Sequence, residues 1–275
     1  MIILAATPIG NLGDASRRLV EALETARVVA AEDTRTTQRL LSALGVANRP
    51  RLIALHDHNE KARAGELVEL ARDQDLLVLS DAGMPTVSDP GYGLVAAAAA
   101  AGVTVTAIPG PSAVLTALAV AGLPTDRFTF EGFPPRKAGE RASWFGALAR
   151  EQRTMVFFEA PSRLATTLAA MAVAFGDERP AAVCRELTKL HEEVVRGGLA
   201  ELAAWAEEGV RGEIVVVVGG AQARAADPDE ALAQVQDLVR DGVRLKDAAG
   251  QVAAASGLSS RELYQAALAA RTAPR

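Results

Sequence analysis

The chain has 275 residues, of which 49% are hydrophobic and only 4% aromatic, and its formal net charge is −5. This length favours about two domains, and the abundance of alanine is typical of α/β proteins with extensive helix surface. The single cysteine, Cys184, excludes an intramolecular disulfide framework and fits a reducing cytoplasm. A mildly acidic chain does not indicate a nucleic-acid-binding protein directly, nor does it exclude one, because local patches count more than the sum.

Two features of the sequence argue against a membrane protein. The N-terminal run MIILAATPIG lacks the basic region of a signal peptide and is predicted to form a buried first strand. The uncharged stretch between Asp89 and Asp126 is broken at Gly102 and again at Pro109-Gly110-Pro111, whereas a membrane helix needs about 20 continuous apolar residues. We therefore expect no membrane association and a cytoplasmic location.

The first half of the chain alternates short apolar runs with amphipathic segments of helical length. We predict five strands, at residues 2–6, 27–31, 51–55, 76–80 and 103–108. We predict four helices between them, at residues 15–24, 36–45, 61–74 and 93–102. This alternation predicts a largely parallel sheet covered by helices on both faces. Right-handed crossovers then bring the loops that follow the strands to one edge, where open α/β sheets bind ligands.

The rest of the chain is predicted to contain first mainly strands and then only helices. Strands are predicted at residues 127–133, 153–160, 181–189, 191–198 and 213–220, and because fewer helices lie among them we expect some antiparallel neighbours. Three helices are predicted after these strands, at residues 228–242, 243–257 and 259–271. The predicted domains are an N-terminal α/β domain with a mostly parallel sheet at 1–115, a second α/β domain with a mixed sheet at 116–222, and a small helical C-terminal extension at 223–275.

The last two predicted helices resemble a helix-turn-helix. Gly257-Leu258-Ser259 forms the expected turn, and Ser259 and Glu262 have capping-box spacing. The segment is nearly charge-balanced, and helix pairs of this kind often only pack or dimerise. A DNA-reading role of this pair is therefore an alternative and not the main expectation.

The loop after the first predicted strand reads ATPIGNLGD. Gly10 and Gly13 let the backbone approach a ligand, and exposed N–H groups there can meet an anion. The glycine spacing is not that of a dinucleotide-binding fold, and no Lys-Ser/Thr follows as a P-loop requires.

The second strand ends in acidic residues. Asp33 has two interpretations, because it can cap the next helix or act as a functional carboxylate. Glu32, one residue earlier, has less reason to be acidic and is interpreted as functional. Arg35 on the same rim can pair with these carboxylates or contact a phosphate.

The third strand is followed by His56 and His58, but the remaining histidine is distant in sequence and no cysteine joins them, so no metal site is expected.

The fourth and fifth strands are followed by the loops with the most glycine, proline and acidic residues. Residues 80–93 read SDAGMPTVSDPGYG, with Ser80 and Asp81 at the strand end and Asp89 predicted to cap the following helix. The fifth strand leads into IPGPSA, in which Ser112 is predicted to cap a helix. Four of the five strands thus end in glycine-, proline- or acid-rich loops on one predicted edge, and this convergence predicts a ligand site there.

Nine segments of the sequence together resemble one known family. They are ATPIGNLGD, AEDTRTTQRLL, LHDHNE, SDAGMPTVSDPG, PGPSA, FTFEGFPPRK, FFEAPSR, RELTKLHEE and GEIVVVVGG, and they cover about residues 1–220 in order. The chain resembles the tetrapyrrole methylase superfamily, the class III S-adenosylmethionine-dependent methyltransferases. The resemblance implies two α/β domains with a cofactor cleft between them, and it leaves the C-terminal helices outside the shared core.

The resemblance also implies a cofactor and the residues that hold it. S-adenosylmethionine would lie folded in the cleft, held largely through backbone groups, with no metal ion. The positions that match the family's cofactor site are Pro8, Ile9, Gly10, Ser80, Asp81, Ala82, Gly83, Met84, Ser112, Ala113, Ala160, Pro161 and Glu213.

Within the family, the chain is most similar to members that methylate the ribose 2′-hydroxyl of a cytidine in 16S rRNA of the small ribosomal subunit, and the family also implies a homodimer.

Methyl transfer to a hydroxyl is helped by a base. The candidates for this base are Glu32, Asp33 and Lys189. Lys189 has an alternative interpretation as part of a salt-bridged strand pair. The stretch 134–153 has five basic and two acidic side chains. The predicted contacts to RNA phosphates are Arg35, Arg136, Lys137 and Arg163.

Two other functions stay open on the sequence alone. The same fold can methylate a tetrapyrrole such as a precorrin or uroporphyrinogen, although the FPPRK segment and the helical tail favour RNA. A nucleotide- or DNA-binding regulator that uses the C-terminal helix pair is the second alternative, and it leaves the loops of the N-terminal rim without a task.

Overall fold

The structure, a computed structural model, describes residues 1–221 and 227–272. The chain forms two compact units, Met1–Gly220 and Ala221–Arg275. The first unit contains two five-stranded sheets with their helices, and the second contains helices. None of the described helices is long and apolar enough to cross a lipid bilayer.

The first sheet is entirely parallel, as predicted. Its strands are β1 Ile2–Ala5, β2 Val28–Ala31, β3 Arg51–Ala54, β4 Leu76–Leu79 and β5 Val105–Ile108. They lie in the order β3-β2-β4-β1-β5, with every neighbouring pair parallel. The central strands β2 and β4 are buried along their whole length, which explains their continuous apolar sequences.

Helices cover both faces of this sheet because successive strand residues point to opposite sides. The helices are α1 Arg17–Thr25, α2 Thr34–Ala43, α3 Asp57–Asp73 and α4 Tyr92–Ala100. Buried residues of α1 and α2, such as Leu23 and Leu41, share one apolar cluster with Leu77 of β4. Buried residues of α3 and α4, such as Leu67, share a second cluster with Val78 of the same strand.

Helices α3 and α4 begin with contacts that the sequence predictions did not include. Helix α3 begins at Asp57 instead of residue 61, because the side-chain oxygen of Asn59 accepts the backbone N–H of His56 at 3.0 Å and stabilises an earlier first turn. The predicted cap of α4 by Asp89 is wrong. Glu60 of α3 instead accepts the N–H groups of Gly91 at 3.0 Å and Leu94 at 2.9 Å, so a distant carboxylate caps α4.

The second sheet is mixed, as predicted. Its strands are β6 Phe128–Gly132, β7 Thr154–Glu159, β8 Pro180–Arg185, β9 Glu193–Gly198 and β10 Ile214–Val218. They lie in the order β6-β7-β10-β8-β9, with β6 and β7 parallel and the other pairs antiparallel. The helices of this half are α5 Ala113–Ala121, α6 Ala138–Leu148, α7 Leu164–Phe175 and α8 Leu199–Ala206. Helices α6, α7 and α8 pack with one face of the sheet around Phe145, Phe157 and Leu168.

Helix α5 follows the first sheet in the chain but packs on the second. Its buried residues Val114 and Leu118 share an apolar cluster with Cys184 of β8 and Val217 of β10. The predicted domain boundary at residue 115 therefore falls inside this helix. Burial raises the pKa of the Cys184 thiol to about 11, so Cys184 stays protonated and acts as a packing residue.

The described residues of the second unit form three helices, α9 Pro228–Arg240, α10 Leu245–Ser256 and α11 Ser260–Thr272. They enclose a small core that includes Val235, Val252 and Leu263. Gly257 ends α10 with a φ of +73°, a backbone conformation that favours glycine. Ser259 Oγ accepts the N–H of Glu262 at 3.3 Å, so the predicted turn and cap are both present.

Candidate functional site

The strand order brings the four functional loops together. Strands β2, β4, β1 and β5 are consecutive neighbours in the parallel sheet, so the loops after them leave the same edge side by side. Strand β3, whose following loop contains the two histidines, lies at the outside of the sheet. Among the residues that the structure describes, no group of three or more His, Cys, Asp or Glu residues is placed to hold a metal ion.

The loops after β1 and β4 are joined by backbone hydrogen bonds. The N–H of Thr7 donates to the carbonyl of Gly83 at 2.9 Å, and the N–H of Gly83 donates to the carbonyl of Thr7 at 3.1 Å. The buried hydroxyls of Thr7 and Ser80 donate to carbonyls of the same loop, to Ser80 and Gly83 at 3.2 Å each. These bonds satisfy buried polar groups and fix the shape of the loop.

The loops after β2 and β4 are joined through carboxylates. The N–H of Asp81 donates to Glu32 Oε2 at 3.3 Å, and the N–H of Asp33 donates to Asp81 Oδ1 at 3.2 Å. Partial burial raises the pKa of Asp81, and the negative charge of Asp33 raises it further. The hydrogen bond from the backbone of Asp33 lowers this pKa but does not outweigh the other two effects. Asp81 is therefore a carboxylate held in an unfavourable electrostatic environment at the centre of the rim, a pattern common at functional sites.

Asp33 fulfils the capping interpretation. Its Oδ1 accepts the N–H of Arg35 at 2.7 Å, and it is the N-cap of α2. The guanidinium of Arg35 is not tied to the carboxylates of the rim by any ion pair among the described residues. It lies at the surface of α2, in a shallow depression that Gln38 and Arg39 also line.

A cavity of about 400 Å³ opens beside these loops, and both sheets contribute to its walls. A volume of this size is typical of sites for cofactors and other small molecules. The lining residues are Ile9, Ala82, Ser88, Asp89, Ala113, Phe133, Phe158, Glu159, Ala160, Pro161, Gly212, Glu213, Ile214 and Val215.

The cavity brings together residues from all parts of the predicted cofactor site. Six of its lining residues belong to the predicted set, namely Ile9, Ala82, Ala113, Ala160, Pro161 and Glu213. The other predicted residues shape the surrounding loops: Ser80 and Gly83 are buried in the joined loops, Met84 packs towards the core of the first sheet, and Ser112 caps α5. Pro8, Gly10 and Asp81 lie in the same loops as cavity residues.

One wall of the cavity consists of aromatic rings that the sequence predictions missed. Phe158 of β7 contacts Phe130 of β6 at a ring-centroid distance of 4.8 Å and Phe133 at 5.6 Å, both edge to face. Phe133 follows the end of β6 and remains 58% exposed.

A buried carboxylate lies at the same wall. The side chain of Glu159 is fully buried at the end of β7. Its Oε1 accepts the N–H of Ala160 at 2.8 Å, and its Oε2 accepts the hydroxyl proton of Thr167 at 2.5 Å. Glu159 could have been found from the sequence, because a charged residue ends an otherwise apolar strand there. Glu32, which follows β2, was singled out for a similar reason.

Arg163, a predicted contact to an RNA phosphate, makes several contacts within the protein. Its guanidinium donates to the carbonyls of Pro134 at 2.7 Å and Pro135 at 3.2 Å, and it lies 3.3 Å from Glu159 Oε2. Only 23% of the side chain is exposed. Arg163 therefore fastens the loop that follows Phe133 to the buried carboxylate.

The other two predicted phosphate contacts lie at the surface. Arg136 and Lys137 are exposed in the loop that precedes α6. Lys137 pairs with Glu140 at 2.8 Å, but both side chains are largely in solvent, where such a pair contributes little. Both residues are thus accessible to a large anionic partner.

Lys189 lies across the first loop. A Cβ atom placed on Gly10 would stand 2.4 Å from Lys189 Cγ, so only glycine allows this contact. Lys189 Nζ pairs with Glu186 at 2.8 Å and with Glu213 at 3.2 Å. Burial lowers the pKa of Lys189, but the hydrogen bonds and charges of the two glutamates outweigh burial and raise it. Lys189 is therefore an ammonium near neutral pH and a poor proton acceptor.

Two loops next to the cavity carry strained backbone. Thr86 and Ser88 have φ values of +78° and +64°, and Glu186 and Thr188 have φ values of +50° and +67°. Residues other than glycine seldom adopt this region, and β-branched threonine least of all. Such strain persists where the surrounding structure fixes it, and it concentrates at ligand sites.

Comparison with known proteins identifies the family. The model of the Tetrapyrrole (Corrin/Porphyrin) Methylases matches residues 1–203, and the model of the RsmI C-terminal HTH domain matches residues 225–271. The chain belongs to the tetrapyrrole methylase family. The C-terminal helices, which the sequence left outside the shared core, thus match a family model of their own.

Curated relatives resemble the chain over nearly its whole length. The ribosomal RNA small subunit methyltransferase I of Mycobacterium tuberculosis H37Rv is 53% identical over 98% of this chain and 95% of its own. The protein of the same name from Escherichia coli O157:H7 is 40% identical over 97% of this chain and 94% of its own. These identities also place the chain in the ribosomal RNA small subunit methyltransferase I group of the family.

Solved structures share the fold at much lower identity. The methyltransferase CobJ aligns with a TM-score of 0.60 and 23% identity over 80% of this chain and 94% of its own. Diphthine synthase aligns with a TM-score of 0.58 and 15% identity over 79% of this chain and 89% of its own. The uroporphyrin-III C-methyltransferase of Thermus thermophilus, solved with S-adenosyl homocysteine, aligns with a TM-score of 0.54 and 21% identity over 79% of this chain and 96% of its own.

The raised pKa of Asp81 generates a prediction that separates binding from stability. Ionised Asp81 reduces stability as pH rises through its folded-state pKa, so the Asp81→Asn variant should melt at the same or a higher temperature at pH 7. Loss of the charge should weaken binding of S-adenosylmethionine by about tenfold or more. Calorimetric titration and thermal melting measure the two effects.

Asp33→Ala is the matched control for the melting measurement, because removal of this N-cap should lower the free energy of unfolding by about 1 kcal/mol. An Asp81→Asn variant that binds as tightly as the original protein and melts at a lower temperature would show that Asp81 is structural.

The close contact between Gly10 and Lys189 generates a second prediction. Gly10→Ala should displace Lys189 from both glutamates and weaken S-adenosylmethionine binding by about tenfold. The effect on the melting temperature should be small, because the displaced atoms belong to a flexible side chain. In a Lys189→Ala background the same change should have little further effect.

Gly139→Ala is the control for this experiment, since a Cβ at Gly139 meets no atom within 4 Å. If Gly10→Ala and Lys189→Ala have additive effects on binding, the two positions are not coupled in this way.

Proposed function

We propose that the chain binds S-adenosylmethionine in the cavity and transfers its methyl group to the ribose 2′-hydroxyl of a cytidine in 16S rRNA of the small ribosomal subunit. The single observation that carries the proposal is the adjacency of β2, β4, β1 and β5, which assembles four ligand-type loops beside one cavity. The names of the curated relatives support the acceptor at the level of small-subunit ribosomal RNA. The cytidine and the 2′-oxygen are the finer part of the proposal.

The chemistry of the cavity fits this cofactor. The sulfonium compound carries an apolar-faced adenine, a ribose, a positive sulfur and an amino-acid end. The aromatic and aliphatic wall around Phe158 and Val215 offers apolar surface for the adenine. The rim offers carboxylates, Asp81 among them, for cationic groups and hydroxyls. A Walker lysine is unnecessary, because the cofactor has no phosphate.

The reaction requires orientation first and a base second. Methyl transfer is an in-line displacement at the methyl carbon, so the protein must align the ribose oxygen, the methyl group and the sulfur. Of the three candidate bases, Lys189 holds its proton, whereas Glu32 and Asp33 each accept one backbone N–H through a carboxylate oxygen. Glu32 and Asp33 are therefore the two candidates to accept the hydroxyl proton, and Lys189 contributes positive charge beside the Gly10 turn.

RNA is a better acceptor than a tetrapyrrole on two grounds. The curated relatives named as ribosomal RNA methyltransferases are 40–53% identical to this chain, whereas the tetrapyrrole enzymes with the same fold are 23% identical or less. The exposed Arg136 and Lys137, in the loop that follows the cavity residue Phe133, also suit a polyanion. A function as a DNA-binding regulator is disfavoured, because it would leave the cavity and the strained loops next to it without a function.

A homodimer is part of the proposal. A surface depression is lined by Asp14, Leu115 and Thr188, among other residues. Leu115 is 58% exposed there. A large apolar side chain exposed in a concave surface supports a protein–protein contact at this place. The ribosomal substrate assigns the proposed reaction to the cytoplasm. We propose three domains, 1–112, 113–222 and 223–275, in which the first boundary moves from residue 115 to the start of α5 because this helix packs on the second sheet.

Mass spectrometry of 16S rRNA tests the proposed activity. Cells that lack the gene should lose one methyl group, located on the ribose of a single cytidine, and purified protein should restore it on isolated small subunits in the presence of S-adenosylmethionine. A methyl group on a base would contradict the 2′-oxygen. An unchanged 16S rRNA would contradict RNA as the acceptor.

Light scattering after size exclusion tests the dimer. The protein should elute at twice its chain mass of 28.6 kDa. Leu115→Glu should shift it towards the monomer, because a buried unpaired charge is unfavourable at an apolar contact. Val173→Glu, at a position 89% exposed on α7, is the matched control and should leave the mass unchanged. A monomeric original protein would refute the dimer.

A further inference from the structure

Phe133 is unusual among the aromatic residues of the site. It lines the cavity but remains 58% exposed, whereas the neighbouring Phe158 is largely buried. Single exposed apolar side chains need no special explanation. This ring, however, combines exposure with a place in the cavity wall and with two basic residues directly beyond the adjoining prolines.

The position of Phe133 is fixed from two sides. Its ring packs edge to face on Phe158 at 5.6 Å and an interplanar angle of 61°, which leaves the rest of its surface open to solvent. On the other side, Arg163 holds the carbonyls of Pro134 and Pro135 and is itself held by Glu159.

The interactions that hold Phe133 are themselves buried. The Glu159 carboxylate is inaccessible to solvent and receives two further hydrogen bonds, from Ala160 and Thr167. A buried ion pair with its remaining lone pairs satisfied is strongly disrupted when one partner is removed. The loop therefore presents the phenyl ring in one place before any ligand arrives, which lowers the entropic cost of binding.

The charges beside Phe133 indicate the kind of ligand. Arg136 and Lys137 follow it at the surface, and no carboxylate lies between the ring and these two residues in sequence. An exposed aromatic ring next to cationic side chains matches a single-stranded nucleic acid, whose bases stack on aromatic rings while its phosphates meet positive charge.

We propose that Phe133 is the platform on which an unpaired base of the RNA acceptor stacks at the mouth of the cavity. The inference rests on the proposed function and deepens it, because it assigns to one side chain the contact with a base displaced from its own stack. Arg163 and Glu159 are positioning residues for this platform.

Kinetics on small subunits from cells that lack the gene test the inference. Phe133→Ala should raise the KM for small subunits by about 5- to 100-fold, the range that loss of one base–aromatic stack gives. Its Kd for S-adenosylmethionine, measured by calorimetry, should change less than threefold. Phe133→Tyr and Phe133→Trp should keep the original KM, because both retain a flat aromatic face, whereas Phe133→Leu should behave like the alanine variant.

Phe128 provides the matched control. It is the first residue of β6 and is 39% exposed, whereas Phe133 follows the other end of that strand. Phe128→Ala therefore removes a similar ring from a position that does not line the cavity. It should leave the KM unchanged. Thermal melting of each variant identifies any that fail to fold, and the leucine and tyrosine variants then carry the comparison.

Each other outcome overturns a different statement. If Phe133→Ala keeps the original KM for small subunits, the platform is refuted. If it weakens S-adenosylmethionine binding as much as it raises KM, the ring is a wall of the cofactor site and the platform is again refuted. If the original protein binds the cofactor but does not methylate small subunits, the proposed function fails, and the platform fails with it.

Discussion

The reciprocal backbone hydrogen bonds between Thr7 and Gly83 are the constraint on which the site depends. They form an antiparallel bridge between the loops that follow the parallel strands β1 and β4, so two loops that are 76 residues apart in sequence behave as one surface. Buried hydroxyls of Thr7 and Ser80 reinforce the same bonds. Every other loop of the rim is placed against this joined pair, Glu32 and Asp33 through Asp81 and the Pro-Gly-Pro turn through β5.

The two sheets contribute different chemistry to the cavity. The parallel sheet supplies polar loop backbone and carboxylates, because the ends of its strands point at the ligand. The mixed sheet supplies apolar surface, from Phe158, Ile214 and Val215, together with one deeply buried carboxylate at Glu159. A cofactor with an apolar adenine at one end and a charged amino-acid group at the other suits this division.

The sequence was sufficient for the parts of the protein that follow local rules. Strand and helix positions came from periodicity, and the shared edge came from parallel topology together with the composition of the loops. It was insufficient where a distant partner decides the role. Asp89 reads as a helix cap, but Glu60 from another helix takes that place. Arg163 was predicted from its charge to contact a phosphate, and no local rule indicates that it also binds two carbonyls and Glu159. Likewise, no spacing rule connects the ion pairs of Lys189 with Glu186 and Glu213 to Gly10.

Helix α5 begins at Ser112 on the ligand rim and lies with its buried side on β8 and β10. The orientation of the second sheet is therefore transmitted to the rim by a rigid element only nine residues long. A change in the size of the side chains beneath this helix, such as Val217, should therefore shift the ligand rim from a distance. In a set of natural variants, the tolerated residues at these positions should consequently be few.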